Sequence, residues 1–120
     1  MGAPVRVTLC QARAPAARQA ALDAWLAATP ERPRAVIAEG AFVDLAAPAD
    51  VTVARLAAGC VCCLGLVPLR VTLTRLLRTV RPHALLLLVA ADEHLPRLRA
   101  LLDSGELGAL SIVAGRDTTA

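Results

Sequence analysis

The chain contains no lysine, no tyrosine and no asparagine, so every basic residue apart from histidine is an arginine. Trp25 and Phe42 are the only aromatic residues of the Phe, Trp and Tyr classes, although hydrophobic residues make up 57% of the sequence. The core must therefore be built from Leu, Val and Ala. The lack of aromatic side chains argues against nucleic-acid binding by base stacking.

Long apolar segments are also absent, since no run approaches the roughly 18 residues of a membrane span. Residues 1–15 lack the charged start and apolar run of a signal peptide. We therefore expect a cytoplasmic protein with no membrane partner, and 120 residues predict a single domain. The net charge of +3 comes from dispersed arginines, which is typical of solvated helix faces.

Cysteine is concentrated in one place, with three of the four cysteines at Cys60, Cys62 and Cys63, directly after Gly59. In a reducing compartment such a cluster indicates metal ligands or redox thiols more than structural disulfides. Thiolates suit zinc, cobalt or copper. A zinc finger needs a second ligand pair a dozen or more residues away, and the chain has none. The alternative is that the three cysteines are small buried hydrophobic residues.

The hydrophobic pattern predicts strands alternating with helices. The predicted strands are Val5–Cys10, Ala35–Ala38, Val51–Leu56, His83–Val89 and Ala109–Ala114, and the predicted helices are Pro15–Ala28, one starting near Pro68, and Asp92–Leu102. This order predicts an α/β fold with a three-layer arrangement, a parallel sheet with flanking helices. The continuous apolar run Leu85–Leu88 predicts the central strand. Ligands in such sheets bind beyond the carboxyl ends of the strands, and the cysteines follow a predicted strand.

The segment Gly59-Cys60-Val61-Cys62-Cys63, between a strand and an amphipathic helix, resembles the Cys-x-Cys-Cys signature of CobW-type GTPases and metallochaperones (the CobW/HypB/UreG group). The segment 35–40 resembles the family's Val-Ile-x-Asn-Glu motif and retains its glutamate as Glu39. Arg81-Pro82 and the leucine run are similar to a later strand of the family. The resemblance implies a P-loop NTPase-like fold. The resemblance extends over nearly the whole of residues 1–120. These residues correspond to about the first half of the family's nucleotide domain, without the family's C-terminal domain.

The family's phosphate-binding loop is not retained. Its three glycines fall on Ala12, Pro15 and Ala17, and its lysine falls on Arg18. Such a loop needs glycine so that several N–H groups can face one anion, and lysine to reach the terminal phosphates.

The family's Ile-Glu-Thr-x-Gly motif falls on residues 88–92, where neither the Glu nor the Gly is present. We therefore expect no GTP hydrolysis. Arg13 and Arg18 are candidate remnants of a phosphate pocket, and the alternative is that both are charges on an exposed helix start.

Three cysteines leave a zinc ion one ligand short of a tetrahedron. Glu39 is the first candidate for the fourth ligand, because the corresponding family segment lies beside the cysteine loop; the alternative is a solvated loop glutamate. His94 is the second candidate; the alternative is that His94 is an ordinary surface histidine. Cys10 is expected in the core, near the site. A water molecule or a residue from a second copy in a homodimer would also complete the site.

The leading hypothesis is a CobW-like protein that binds zinc or cobalt in metal homeostasis or delivery to a client metalloprotein, and that has lost GTP hydrolysis. One alternative is a residual GTP-binding enzyme. Another is a regulatory module that docks onto a full-length CobW-type GTPase. A redox switch between Cys60 and Cys62 or Cys63 is a further alternative.

Overall fold

A computed structural model of the chain describes residues 5–40, 45–56, 67–90, 95–105 and 110–113. The strands are β1 (Val5–Gln11), β2 (Arg34–Glu39), β3 (Val51–Leu56), β4 (Ala84–Val89) and β5 (Leu110–Val113). The helices are α1 (Pro15–Ala28), α2 (Val67–Thr79) and α3 (Leu95–Asp103). The predicted alternation of strands and helices is confirmed. Asp92, the predicted start of the last helix, lies outside the described residues.

The strands form one five-stranded parallel sheet in the order β3-β2-β4-β1-β5. Strand β4 is central, as predicted, and every one of its residues is buried. Leu87 pairs with Leu9 of β1 on one side and with Ile37 of β2 on the other. An uninterrupted apolar strand is stable in this position because both of its faces are covered.

Two hydrophobic cores lie on opposite faces of the sheet. Leu85, Leu87 and Val89 of β4 belong to the core that includes the leucines of α2 and α3. Leu86 and Leu88 belong to the core that includes Trp25 of α1. Successive side chains of a strand point to opposite faces, so α1 covers one face and α2 with α3 cover the other. The predicted three-layer arrangement is therefore confirmed.

Helix α1 is fixed at both ends by its local sequence. It starts at Pro15, whose missing N–H has no intrahelical partner at that position in any case. At the other end, the buried Arg34 guanidinium donates to the carbonyls of Leu26 (3.3 Å) and Thr29 (3.0 Å).

Among the helices of the described ranges, none has both the length and the apolar character needed to cross a lipid bilayer.

The neighbouring strands β1 and β4 lead to opposite faces of the sheet. Strand β1 continues into α1, whereas β4 is followed along the chain by α3 on the other face. In open parallel sheets, a crevice forms at the carboxyl ends of two such strands. The ends of β1 and β4 are therefore the place where this fold offers a binding site.

Candidate functional site

Three buried polar side chains gather at the carboxyl ends of the strands. Gln11 ends β1, Glu39 ends β2, and Arg18 lies in the first turn of α1; each is only 3% exposed. Charged side chains are rarely buried to this extent unless an opposite charge or several hydrogen bonds compensate them. This group marks the candidate functional site.

The backbone of Ala90, directly after β4, is held from both sides. Its N–H donates to Glu39 Oε1 at 2.9 Å, and its carbonyl oxygen accepts from Gln11 Nε2 at 2.9 Å. Arg13 Nε makes a longer contact of 3.5 Å with the same oxygen. The N–H of Ala12 donates to the carbonyl of Val89 at 2.9 Å. The ends of three neighbouring strands are thus joined through the backbone of one residue, Ala90.

Arg18 folds back over the turn between β1 and α1. Its Nη1 donates to the carbonyl of Ala12 at 3.0 Å. Burial lowers the pKa of Arg18, and electrostatic interactions with Glu39 and Cys10 act in the opposite direction. Arginine stays protonated under such shifts because its ordinary pKa is so high. A buried guanidinium cation therefore interacts electrostatically with Glu39.

Two polar atoms of this group have no hydrogen-bond partner among the described residues. They are Arg18 Nε and Gln11 Oε1, and both are fully buried. A buried donor or acceptor without a partner costs about 1–3 kcal/mol. Hydrogen bonding within the described chain therefore does not fully account for the position of Arg18.

Gly40 permits the close approach of β2 to the end of β4. Its φ angle is +125°, and a Cβ atom at this position would lie 3.1 Å from Ala90 Cβ and 3.4 Å from Arg18 Nη1. Its N–H donates to the carbonyl of Leu56 at the end of β3, at 3.1 Å. Only glycine fits this backbone conformation without strain.

The structure brings together two residues that the sequence analysis proposed for different roles, Arg18 and Glu39. The alternative that Glu39 is a solvated loop residue is wrong, because it is the buried last residue of β2. The alternative of an exposed helix start holds for Arg13 but is wrong for Arg18. Cys10 is buried in the core on the α1 side, as expected.

The other predicted ligands lie outside the described residues. These are Cys60, Cys62, Cys63 and His94. Within the described ranges, no group of three or more His, Cys, Asp and Glu side chains is arranged to hold a metal ion. The prediction that the three cysteines and His94 bind metal therefore stays a prediction.

Sequence reasoning missed two residues of the site, Gln11 and Gly40. The glycine carried a signal, because a glycine directly after a buried strand indicates a special φ angle or a close backbone approach. Gln11 carried none, since its partner, the carbonyl of Ala90, is 79 positions away in the chain. Contacts of this kind depend on strand order and register.

A second charged group lies at the opposite end of the sheet. Asp50 accepts from Arg34 Nη2 at 3.2 Å and pairs with Arg32 Nε at 3.1 Å. Desolvation alone would raise the pKa of Asp50, but the Arg34 hydrogen bond and the charges of both arginines outweigh it, so this pKa lies below its ordinary value. This group anchors the start of β3 to the end of α1 and has a structural role.

Chemically, the candidate site offers a buried carboxylate and a buried cation at the carboxyl ends of the strands. A carboxylate is a hydrogen-bond acceptor and a ligand for zinc or cobalt.

Neither a family model, a curated protein nor a solved structure matches this chain.

Proposed function

We propose that this chain is a CobW-like metal-binding protein with a P-loop NTPase-like fold. It binds zinc, or cobalt, through Cys60, Cys62 and Cys63, and acts in metal homeostasis or in delivery of the ion to a client metalloprotein. The ion is the protein's cargo. GTP hydrolysis is not part of this function.

The observation that carries the proposal is the position of Glu39 relative to the chain that leads into the cysteines. Glu39 pairs with Leu56 across β2 and β3, and the N–H of Gly40 donates to the Leu56 carbonyl at 3.1 Å. Cys60 follows Leu56 by four residues in the sequence. Four residues of extended chain span at most about 14 Å. The sequence therefore leads to the cysteines from a strand end that pairs with Glu39, and this connection supports the proposal.

The donor set suits the proposed ions. Three thiolates and one carboxylate supply the four ligands of a tetrahedral zinc site, and the same set accommodates cobalt. Thiolates must lose their protons to bind, so uptake should weaken as the pH falls. The structure gives Glu39 a hydrogen bond to Ala90, which would orient the carboxylate, as the second partners of metal ligands commonly do.

The turn between β1 and α1 supports the absence of GTP chemistry. Only Ala12, Arg13 and Ala14 separate the strand from the helix. The residue that matches the family's lysine, Arg18, donates to the Ala12 carbonyl at 3.0 Å. That bond turns the side chain back onto its own turn, whereas a phosphate cradle needs a cation and N–H groups directed at the ligand.

The proposal is tested by elemental analysis of protein purified without added metal, followed by titration with zinc or cobalt. We expect about one ion per chain and its loss when Cys60, Cys62 and Cys63 are all replaced by Ser. The matched control is Cys10→Ala, which removes the fourth thiol but should keep uptake. No uptake by the wild type, or unchanged uptake by the triple variant, would contradict the proposal.

A further inference from the structure

We infer that Arg18 is an internal counter-cation of Glu39 that competes with the metal ion for this carboxylate and so weakens metal binding. This inference rests on the proposed function, which supplies the ion. It assigns Arg18 a positioning role in which the side chain sets affinity without itself being a ligand.

The first support is that Arg18 and Glu39 are both buried around the contact between Gly40 and Ala90. Both are 3% exposed, and both adjoin the contact between Gly40 and Ala90. Glu39 Oε1 accepts from the N–H of Ala90 at 2.9 Å, while Arg18 Nη1 lies 3.4 Å from the Cβ position of Gly40. Electrostatic interactions between such groups are much stronger than at the surface, because little water screens them.

The second support is the incomplete hydrogen bonding of Arg18. Its Nε is buried without a partner in the described part of the chain, and a single backbone carbonyl, that of Ala12, accepts from Nη1. Burying a cation with so few acceptors is unfavourable unless a negative charge is near. The Glu39 carboxylate supplies that charge, so the guanidinium depends on it.

The third support is that Arg18 cannot easily withdraw. The side chain belongs to the first turn of α1, and its Nη1 is bound to the Ala12 carbonyl in the turn before it. A divalent ion that reached Glu39 would therefore meet a fixed positive charge. Replacing Arg18 with a neutral side chain of similar size removes this repulsion and should tighten metal binding.

The test is a double-mutant cycle with Arg18→Met and Glu39→Gln, in which zinc affinity is measured by competition with a chelator. Arg18→Met should tighten zinc binding by roughly tenfold, on the scale of one unit charge at close range. In the Glu39→Gln background the same change should have no effect. Arg18→Lys keeps the charge and should restore the wild-type affinity, which a purely structural role would not predict.

Two controls accompany the cycle. Arg13→Met removes an exposed arginine from the same turn and should leave zinc affinity unchanged. Thermal unfolding of each metal-free variant separates changes in stability from changes in affinity. If Arg18→Met does not fold, Arg18→Gln makes the same comparison with a polar, neutral side chain.

The outcomes distinguish this inference from the function on which it rests. If the wild type binds zinc through its cysteines but Arg18→Met has no effect, or the same effect with Gln at position 39, the inference is wrong and the proposed function stands. If the wild type binds neither zinc nor cobalt, both are wrong. If Arg18→Met tightens zinc binding, and this gain is lost in the Glu39→Gln background, the result supports both the inference and the proposed function.

Discussion

The Glu39 carboxylate accepts a hydrogen bond of 2.9 Å from the backbone N–H of Ala90, which links two residues 51 positions apart in the chain. This bond fastens the end of β2 to the end of the central strand β4. Arg18 is buried at the same contact, and its charge interacts with Glu39, so the carboxylate both accepts from an N–H group and balances a positive charge. The two tasks can be separated by mutation.

Glu39→Ala should be strongly destabilising, because it leaves both the Ala90 N–H and the Arg18 charge without compensation. We expect a loss of about 3–5 kcal/mol in the free energy of unfolding. Glu39→Gln keeps a hydrogen-bond acceptor and should cost less. Urea denaturation measures both. Glu31→Ala is the matched control, since it removes a surface ion pair with Arg6 worth about 0–1 kcal/mol. Equal effects at positions 31 and 39 would contradict the assignment.

Gly40→Ala should destabilise the protein through both backbone strain and a steric clash. The φ angle of +125° is unfavourable for alanine, and the new Cβ would lie 3.1 Å from Ala90 Cβ. We expect a loss of about 2–4 kcal/mol. Gly105→Ala is the control, because Gly105 also has a positive φ (+83°) but no atom of the described residues within 4 Å of the added Cβ. Thermal unfolding should show a larger loss of stability for Gly40→Ala than for Gly105→Ala. A larger loss for Gly105→Ala would contradict the close contact between Gly40 and Ala90.

The Asp50 group should make stability depend on pH in the acid range. The pKa of Asp50 is lower in the folded protein than its ordinary value of 3.8, so its contribution is fully present above that value. It is lost as the pH falls from about 4 through the folded pKa. Melting temperatures of the wild type and Asp50→Asn, measured between about pH 3 and 7, should converge at the acid end. A constant difference across the range would exclude this contribution.

Magnesium and GTP should produce no thermal shift in the wild-type protein. In the described turn of three residues between β1 and α1, Arg18 is directed inward and not toward a bound phosphate. A ligand present at a hundredfold excess over its dissociation constant would stabilise the protein by about 2.7 kcal/mol, which is readily measured by differential scanning fluorimetry. An increase of several degrees in the melting temperature would contradict this prediction and support the hypothesis of a residual GTP-binding enzyme.

The architecture could be predicted from the sequence because it depends on local signals. The apolar run Leu85–Leu88 identified the central strand, and α1 has the predicted bounds, Pro15–Ala28. Gly105, with a φ of +83°, lies two residues after the last helix ends at Asp103, a place where glycine is common. Hydrophobic periodicity and helix-end residues carry this information within a window of a few positions.

The candidate site was less predictable because its contacts are not local. Glu39 was assigned to a loop, since a charged residue after a short apolar run usually ends a strand. It extends β2 because its backbone pairs with Leu56 and its side chain is compensated by Ala90. The burial of Arg18 could not be foreseen, because a charged residue at a helix start is normally solvated. The metal ligands at Cys60, Cys62, Cys63 and His94 remain predictions.

The hydrogen bond between Glu39 and Ala90 also supplies a built-in spectroscopic reporter. A backbone N–H that donates to a charged carboxylate has an amide resonance that is sensitive to any change in the acceptor. An ion that draws the carboxylate toward the cysteines would weaken this bond and move the Ala90 signal. One amide peak, followed by NMR during a zinc titration, would therefore show whether the ion reaches the sheet or stays on the thiols.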